Sequence, residues 1–233
     1  DGFYGFENLT SHFWIGKSNL DIAGGEPGVI HNKIILGATW NTLKLAFLSA
    51  VIAAVIGIVI AYIAVRRSNN PLAILLDQIA FVPFLFPTIA FGAMYLTLFA
   101  VPVGPIPALY GTFTLLVLIS VVSRLPYSVK TGITAVTQIG QELEEAAEVA
   151  GASWWQRFRR IIMPLASSGI MSGMMVSFVG VMRELSLIIL LITPATRVLM
   201  TAGFGYAEEG FTQLTNALVL IVALLTIIGE LIL

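Results

Sequence analysis

Five stretches of this chain are apolar for membrane-spanning lengths, at about 43–65, 74–100, 108–126, 164–182 and 212–233, and polar clusters separate them. At 1.5 Å of rise per residue, the first stretch covers about 34 Å as a helix, enough for the hydrocarbon core. It ends in the basic turn Arg66-Arg67-Ser68-Asn69-Asn70-Pro71. The second holds Pro83 and Pro87, which predict a kink or interruption. The third ends at Arg124-Leu125-Pro126, and residues 127–163 form a polar island before the fourth. Arg183-Glu184 then precedes an apolar piece, 185–192, too short to cross alone. That pattern predicts a broken helix or re-entrant segment, which is tolerated only inside protein or beside a water-filled cavity. The Gly-containing stretch 195–211 is predicted as a loop. The expected fold is all-α and integral to a membrane, with about five core helices.

Composition agrees with that pattern. The chain is 58% hydrophobic and 11% charged, whereas soluble domains carry about 25% charged residues. So few charges cannot coat a soluble fold of this size. A formal net charge of −1 supplies no field for nucleic acid, and no nucleic-acid partner is expected. There is no cysteine, and His12 and His31 both precede the first apolar run. Disulfides, thiolate chemistry and a buried His-based catalytic or metal site are therefore not expected. Neither a GxxxxGK[ST] phosphate loop nor an HExxH motif occurs. Without a nucleophile–base constellation, an enzyme is disfavoured.

Basic residues set the orientation. If the spans alternate, Arg66, Arg67, Arg124, Lys130, Arg157, Arg159 and Arg160 share one side, which is then cytoplasmic. Residues 1–36 form an extracytoplasmic or interfacial segment. Its Phe3, Tyr4, Phe6, Phe13 and Trp14 suit either the bilayer interface or packing on neighbouring protein. Beginning at Asp1 and ending within an apolar run, the chain is expected to be part of a longer polypeptide.

Within the island, Gln141–Ala150 is rich in Glu, Leu and Ala and predicts a helix. Glu142, Glu144, Glu145 and Glu148 complement the positive end of its dipole. Gly151 ends it, Ser153 caps a second helix reaching Ile162, and Pro164 marks entry to the fourth span. A solvated connector is one reading. The small residues Ala146, Ala147, Ala150 and Gly151, with the nearby Trp154, Trp155 and Phe158, also suit a docking surface, and the three aromatics suit packing on the spans or a place at the bilayer interface as well.

The spacing Glu145-Ala146-Ala147, Gly151, Ile161, Pro164 resembles the EAA loop of inner-membrane permeases of binding-protein-dependent ABC importers, with Met163 where Leu is usual. Asn41-Thr42-Leu43, the proline-containing second span and Arg183-Glu184-Leu185 extend the resemblance over about 37–233. It implies a type I importer architecture with a coupling loop at about 138–164 that docks on a cytoplasmic ATPase dimer. It implies no cofactor on this chain, ATP and Mg on the partner ATPase, a second permease bundle (identical, fused or homologous), and an extracytoplasmic solute-binding protein. The setting would be multi-pass in a bacterial-type inner membrane, in contact with lipid.

Arg183 and Glu184 then become candidates for the translocation pathway; anchoring at the head groups is the competing reading. Glu230 is expected at the inner interface. Arg183-Glu184-Leu185 with Thr193–Arg197 is most similar to the ferric-iron permeases. Sulfate, thiamine, polyamine and phosphonate importers stay open, as does a gradient-driven transporter or channel.

Overall fold

The computed structural model describes residues 10–102, 104–105 and 107–232, and among these there is no strand. Phe3, Tyr4 and Phe6 lie outside the described residues. The principal helices are α1 (Lys33–Arg66), α2 (Pro71–Phe81), α3 (Thr88–Phe99), α4 (Phe113–Thr137), α5 (Gln141–Val149), α6 (Trp154–Leu165), α7 (Ser167–Met182), α8 (Leu199–Glu208) and α9 (Thr212–Ile232). Helices α1, α4 and α9 are each long and apolar enough to cross a membrane. Two bent pairs bring the possible crossings to five: Pro71–Leu85 with Thr88–Phe99, turning by 106°, and α6 with α7, turning by 70°. The first bend contains Pro83 in a tight helical turn, Val82–Leu85, and Pro87 at the start of α3.

Helix α1 has 34 residues, about 51 Å at 1.5 Å per residue, against about 30 Å of hydrocarbon. It starts well before the apolar window because Asn32 caps it, accepting the N–H groups of Ile34 and Ile35 at 3.0 and 3.2 Å. Its buried side includes a row of small residues, Ala46, Ala50, Ala53, Ala54, Gly57 and Ala61. Lipid offers little hydrophobic drive for helix association, so close packing of small residues takes over. A methyl added at Gly57 would lie 2.6 Å from Ser128 Cβ and 2.8 Å from its backbone carbon; one added at Gly132 would lie 2.8 Å from Ala61 Cβ. The Ser128 and Ser177 hydroxyls, 3.2 Å apart, tie α4 in turn to α7.

At one end of α1, Asn41 donates to the Ala195 and Arg197 carbonyls, and the Thr42 hydroxyl accepts the N–H of Leu199 at 2.8 Å. Asn32 and the Tyr206 hydroxyl both donate to Glu26, at 2.7 and 2.9 Å. Burial, and then the hydrogen bond to Glu26, push the Tyr206 phenol up to about 12. Because the neutral phenol is favoured in the fold, that contribution is present below pH 10 and declines as pH rises towards about 12. Phe13 and Trp14 are half-buried and pack on this α8–α9 cluster, as the protein-packing reading expects.

Two sequence expectations are corrected here. The third span does not end at Pro126; α4 continues through it to Thr137. Downstream hydroxyls bond back to their own helix, Thr131 to Tyr127, Thr134 to Lys130 and Thr137 to Ile133, so a polar stripe stays helical. Residues 195–211 are not all loop, since α8 occupies Leu199–Glu208. Leu199, Ala202 and Tyr206 fall on one buried face there, and the Thr42 contact holds the helix's first turn.

Gly57→Ala is expected to lower the detergent melting temperature of the purified protein, by an amount equivalent to about 1–3 kcal/mol of overpacking. Gly37→Ala, where an added methyl meets nothing within 4 Å, is expected to leave it unchanged or raise it, since alanine is the better helix former.

Candidate functional site: a clasped surface loop and a polar groove

Helix α5 ends in a closed cap. Gly151 takes φ +83, the Ala152 N–H bonds to the Ala147 carbonyl, and the Gly151 N–H bonds to that of Glu148. Glycine is needed because a side chain strains this left-handed conformation. Ser153 and Gln156 then form a reciprocal capping box for α6, and Glu148 pairs with Arg157 across the corner. Within α6, the π-helical turn Phe158–Ile162 carries Phe158 and Ile162 into a core with Ile58, Tyr62 and Val136.

One acidic residue holds this hairpin to α1. Glu144 accepts from the Tyr62 hydroxyl at 2.7 Å and from Arg66 Nε at 2.6 Å, and the same guanidinium donates to the Ile139 carbonyl at 2.8 Å. The Arg66 and Glu144 side chains are only 13% and 8% exposed. A charge so buried is tolerable only when paired and hydrogen-bonded, as this one is. Phe158 and Trp154 meet the Tyr62 ring edge-on at 5.4 and 6.1 Å. Sequence reasoning missed this role, because the four glutamates looked equivalent as partners of the helix dipole. The available signal was Arg66 at the end of the first span, a cation needing an acid on the adjoining loop.

Glu145, Ala146 and Gly151 are exposed on the outer side of the hairpin, and Ala147 is partly covered. Val149 is 91% exposed and Trp155 57%, so the hairpin presents apolar surface outward from a rigid base. Ile161 is half-buried, while Pro164 is exposed just before the chain bends at Ala166.

The charged residues around 183 lie elsewhere. A groove runs between α4 and α7, with one cavity of about 1110 Å³ reaching Arg183, Glu184 and Glu230 and a second of about 560 Å³ reaching Gly140 and Leu143. Ser168 and Ser172 line both. Arg183 faces the larger cavity and makes no ion pair among the described residues. Glu184 pairs with Arg124 at 2.6 Å, both side chains nearly buried. Arg124 therefore does not share the loop-side position of Arg66 and Arg67 that the charge pattern suggested. It sits within α4 because its partner comes from the irregular segment after α7. Glu230 also lines the cavity, beside Gly229, where an added methyl would lie 3.2 Å from the Phe178 ring.

A family model described as "Binding-protein-dependent transport system inner membrane component" matches residues 53–233. The sulfate transport system permease protein CysT of Escherichia coli is 30% identical over 173 residues, 69% of this chain and 60% of that protein. A putative ferric transport system permease protein of Haemophilus influenzae is 34% identical over 160 residues, 68% of this chain but 24% of that protein. The matched stretch thus spans about 60% or less of these relatives. Among solved structures, a bacterial ABC transporter importing alginate superposes with a TM-score of 0.74 at 17% identity, covering 88% of this chain and 79% of that one. The MetNI methionine transporter in an inward-facing conformation gives 0.70 at 18%, covering 85% and 92%. At these identities the structures speak for the fold.

Removing Glu144 strands Arg66, and breaking a buried pair in this way costs about 3–5 kcal/mol. Glu144→Ala is expected to speed limited trypsin cleavage after Arg157, Arg159 and Arg160, whereas Glu145→Ala, an exposed change, leaves the digestion pattern as in the wild type.

Proposed function

The chain belongs to the family of inner membrane components of binding-protein-dependent transport systems, and from that membership we propose that it is the permease subunit of an ATP-driven importer. It is a multi-pass inner-membrane protein. Hydrolysis itself would occur on a partner ATPase dimer carrying ATP and Mg, with no cofactor on this chain. A second permease bundle would complete the pathway, and an extracytoplasmic binding protein would deliver the solute.

The observation that carries this reading is the exposed hairpin α5–Gly151–α6 fastened to the end of α1 by Glu144. A surface that is apolar outward and clasped inward passes a partner's movement to the spans as a rigid-body displacement. Glu145, Ala146, Ala147 and Gly151 would form the contact with the ATPase. Ile161 and Pro164 would set how α6 enters the bundle. Arg183 and Glu184 would face the solute path, and the breaks at Pro83 and Pro87 would let α2–α3 border it.

For the cargo, we propose ferric iron first, supported by 34% identity to the ferric system component and by the Arg183-Glu184-Leu185 and Thr193–Arg197 stretches. Sulfate is the second choice, on 30% identity to the sulfate component.

In proteoliposomes holding the assembled complex, Gly151→Pro and Glu145→Lys are each expected to abolish ATP-dependent uptake while the protein still inserts. Proline cannot adopt the positive φ at 151, and lysine reverses a charge on the docking face. Normal uptake by both variants would remove the hairpin from the coupling role. Ferric citrate and sulfate, offered separately to the wild-type complex, decide between the cargoes.

A further inference from the structure

Beyond the groove assigned above, a third cavity of about 440 Å³ lies against the bend between α2 and α3. It is lined by Phe86, Pro87, Thr88 and Ser123, among others. Among the described residues, three line both this cavity and the large one: Arg124, Tyr127 and Glu184. They are the wall between two spaces.

The wall is built around its charges. Arg124 donates to Glu184 at 2.6 Å and to the Gly180 carbonyl at 3.1 Å. Gly180 leaves room for that guanidinium, because an added methyl would lie 2.5 Å from it. The second oxygen of Glu184 accepts the Leu187 N–H at 3.1 Å and so fixes the turn that follows α7. Tyr127 lies under the guanidinium, 5.8 Å from ring centre to the central carbon, and Phe84 meets Tyr127 edge-on at 5.0 Å. One ion pair therefore joins α4, the end of α7 and, through Tyr127, the α2–α3 bend.

We infer that the Arg124–Glu184 pair is a charged gate closing the α4–α7 groove against the α2–α3 cavity. This rests on the permease reading and adds the device that seals its path. Separating the two charges inside low-dielectric protein is expensive, and with both side chains nearly buried the gate stays shut while water fills the groove alone. A hydrated polar solute seated against the pair supplies replacement partners and lowers that cost. The gate thus opens for hydrated cargo and stays closed to lipid-like molecules.

The chain has no cysteine, so single cysteines report access directly. Ser172→Cys marks the groove and Ser123→Cys the far cavity, each in the assembled transporter in inverted membrane vesicles treated with a membrane-impermeant maleimide. Ser172→Cys is expected to label and Ser123→Cys to resist. Adding Arg124→Gln or Glu184→Gln should raise Ser123→Cys labelling by roughly tenfold or more. The exchanged pair, Arg124→Glu with Glu184→Arg, should restore protection, which a general loss of folding would not allow. Unchanged labelling in both glutamine variants, or rapid labelling of Ser123→Cys with the pair intact, overturns the gate. Failure of the permease reading shows separately, as absent ATP-dependent uptake by the wild-type complex.

Discussion

The close approach of α1 and α4 is the contact on which the rest of the molecule depends. Between helices in lipid the driving force is shape and contact, not expulsion of water. Gly57, Ala61, Ser128 and Gly132 let the two backbones come near enough for α7 to add its own small surface through Ser177. Large side chains at these positions would widen the gap and leave Ser128 and Ser177 without each other. A bundle with few hydrogen bonds between helices is thus held by many short-range contacts that only small residues permit.

Because α1 is longer than the membrane core is thick, it carries structure at both ends. At one end, Asn32, Asn41 and Thr42 hold the 195–206 region. At the other, Tyr62 and Arg66 hold Glu144. A continuous helix fixed at both ends resists local bending, so in the proposed coupling role displacement of the α5–α6 hairpin would be passed along the bundle and not absorbed in the loop. The ion pair at Glu144 also explains how an acidic helix with apolar outward residues stays docked while keeping those residues free.

Much of the architecture was legible because lipid leaves so few options: apolar windows of sufficient length mark the spans, and Pro83 and Pro87 lie at the observed break. The hairpin was legible for a different reason, since Gly151 and Ser153 carry local cap chemistry that needs no tertiary information. Pro126 misled because a mid-helix proline is tolerated where neighbouring helices support the backbone. Helix α8 was hidden because its glycines look like loop residues and its stability comes from contacts with Thr42 and Leu218, distant in the chain. Glu144 and Arg124 were hidden for the same reason: a charge's partner is a three-dimensional fact. Charge counting placed Arg124 with the loop arginines because it cannot distinguish a cation at the surface from one paired within a span.

That distinction bears on how the groove can work. Of the four charges along it, Arg124 and Glu184 neutralise each other, while Arg183 and Glu230 face the cavity without an ion-pair partner among the described residues. The wall of the groove is therefore close to neutral in sum but strongly dipolar. Such a lining holds water readily and, being close to neutral in sum, favours neither sign of ion. A path that must release what it admits needs shallow wells of this kind. On the proposed permease reading, selectivity would belong upstream, with whatever presents the solute, and the groove's own task would reduce to staying wet on one side of the Arg124–Glu184 pair and closed on the other.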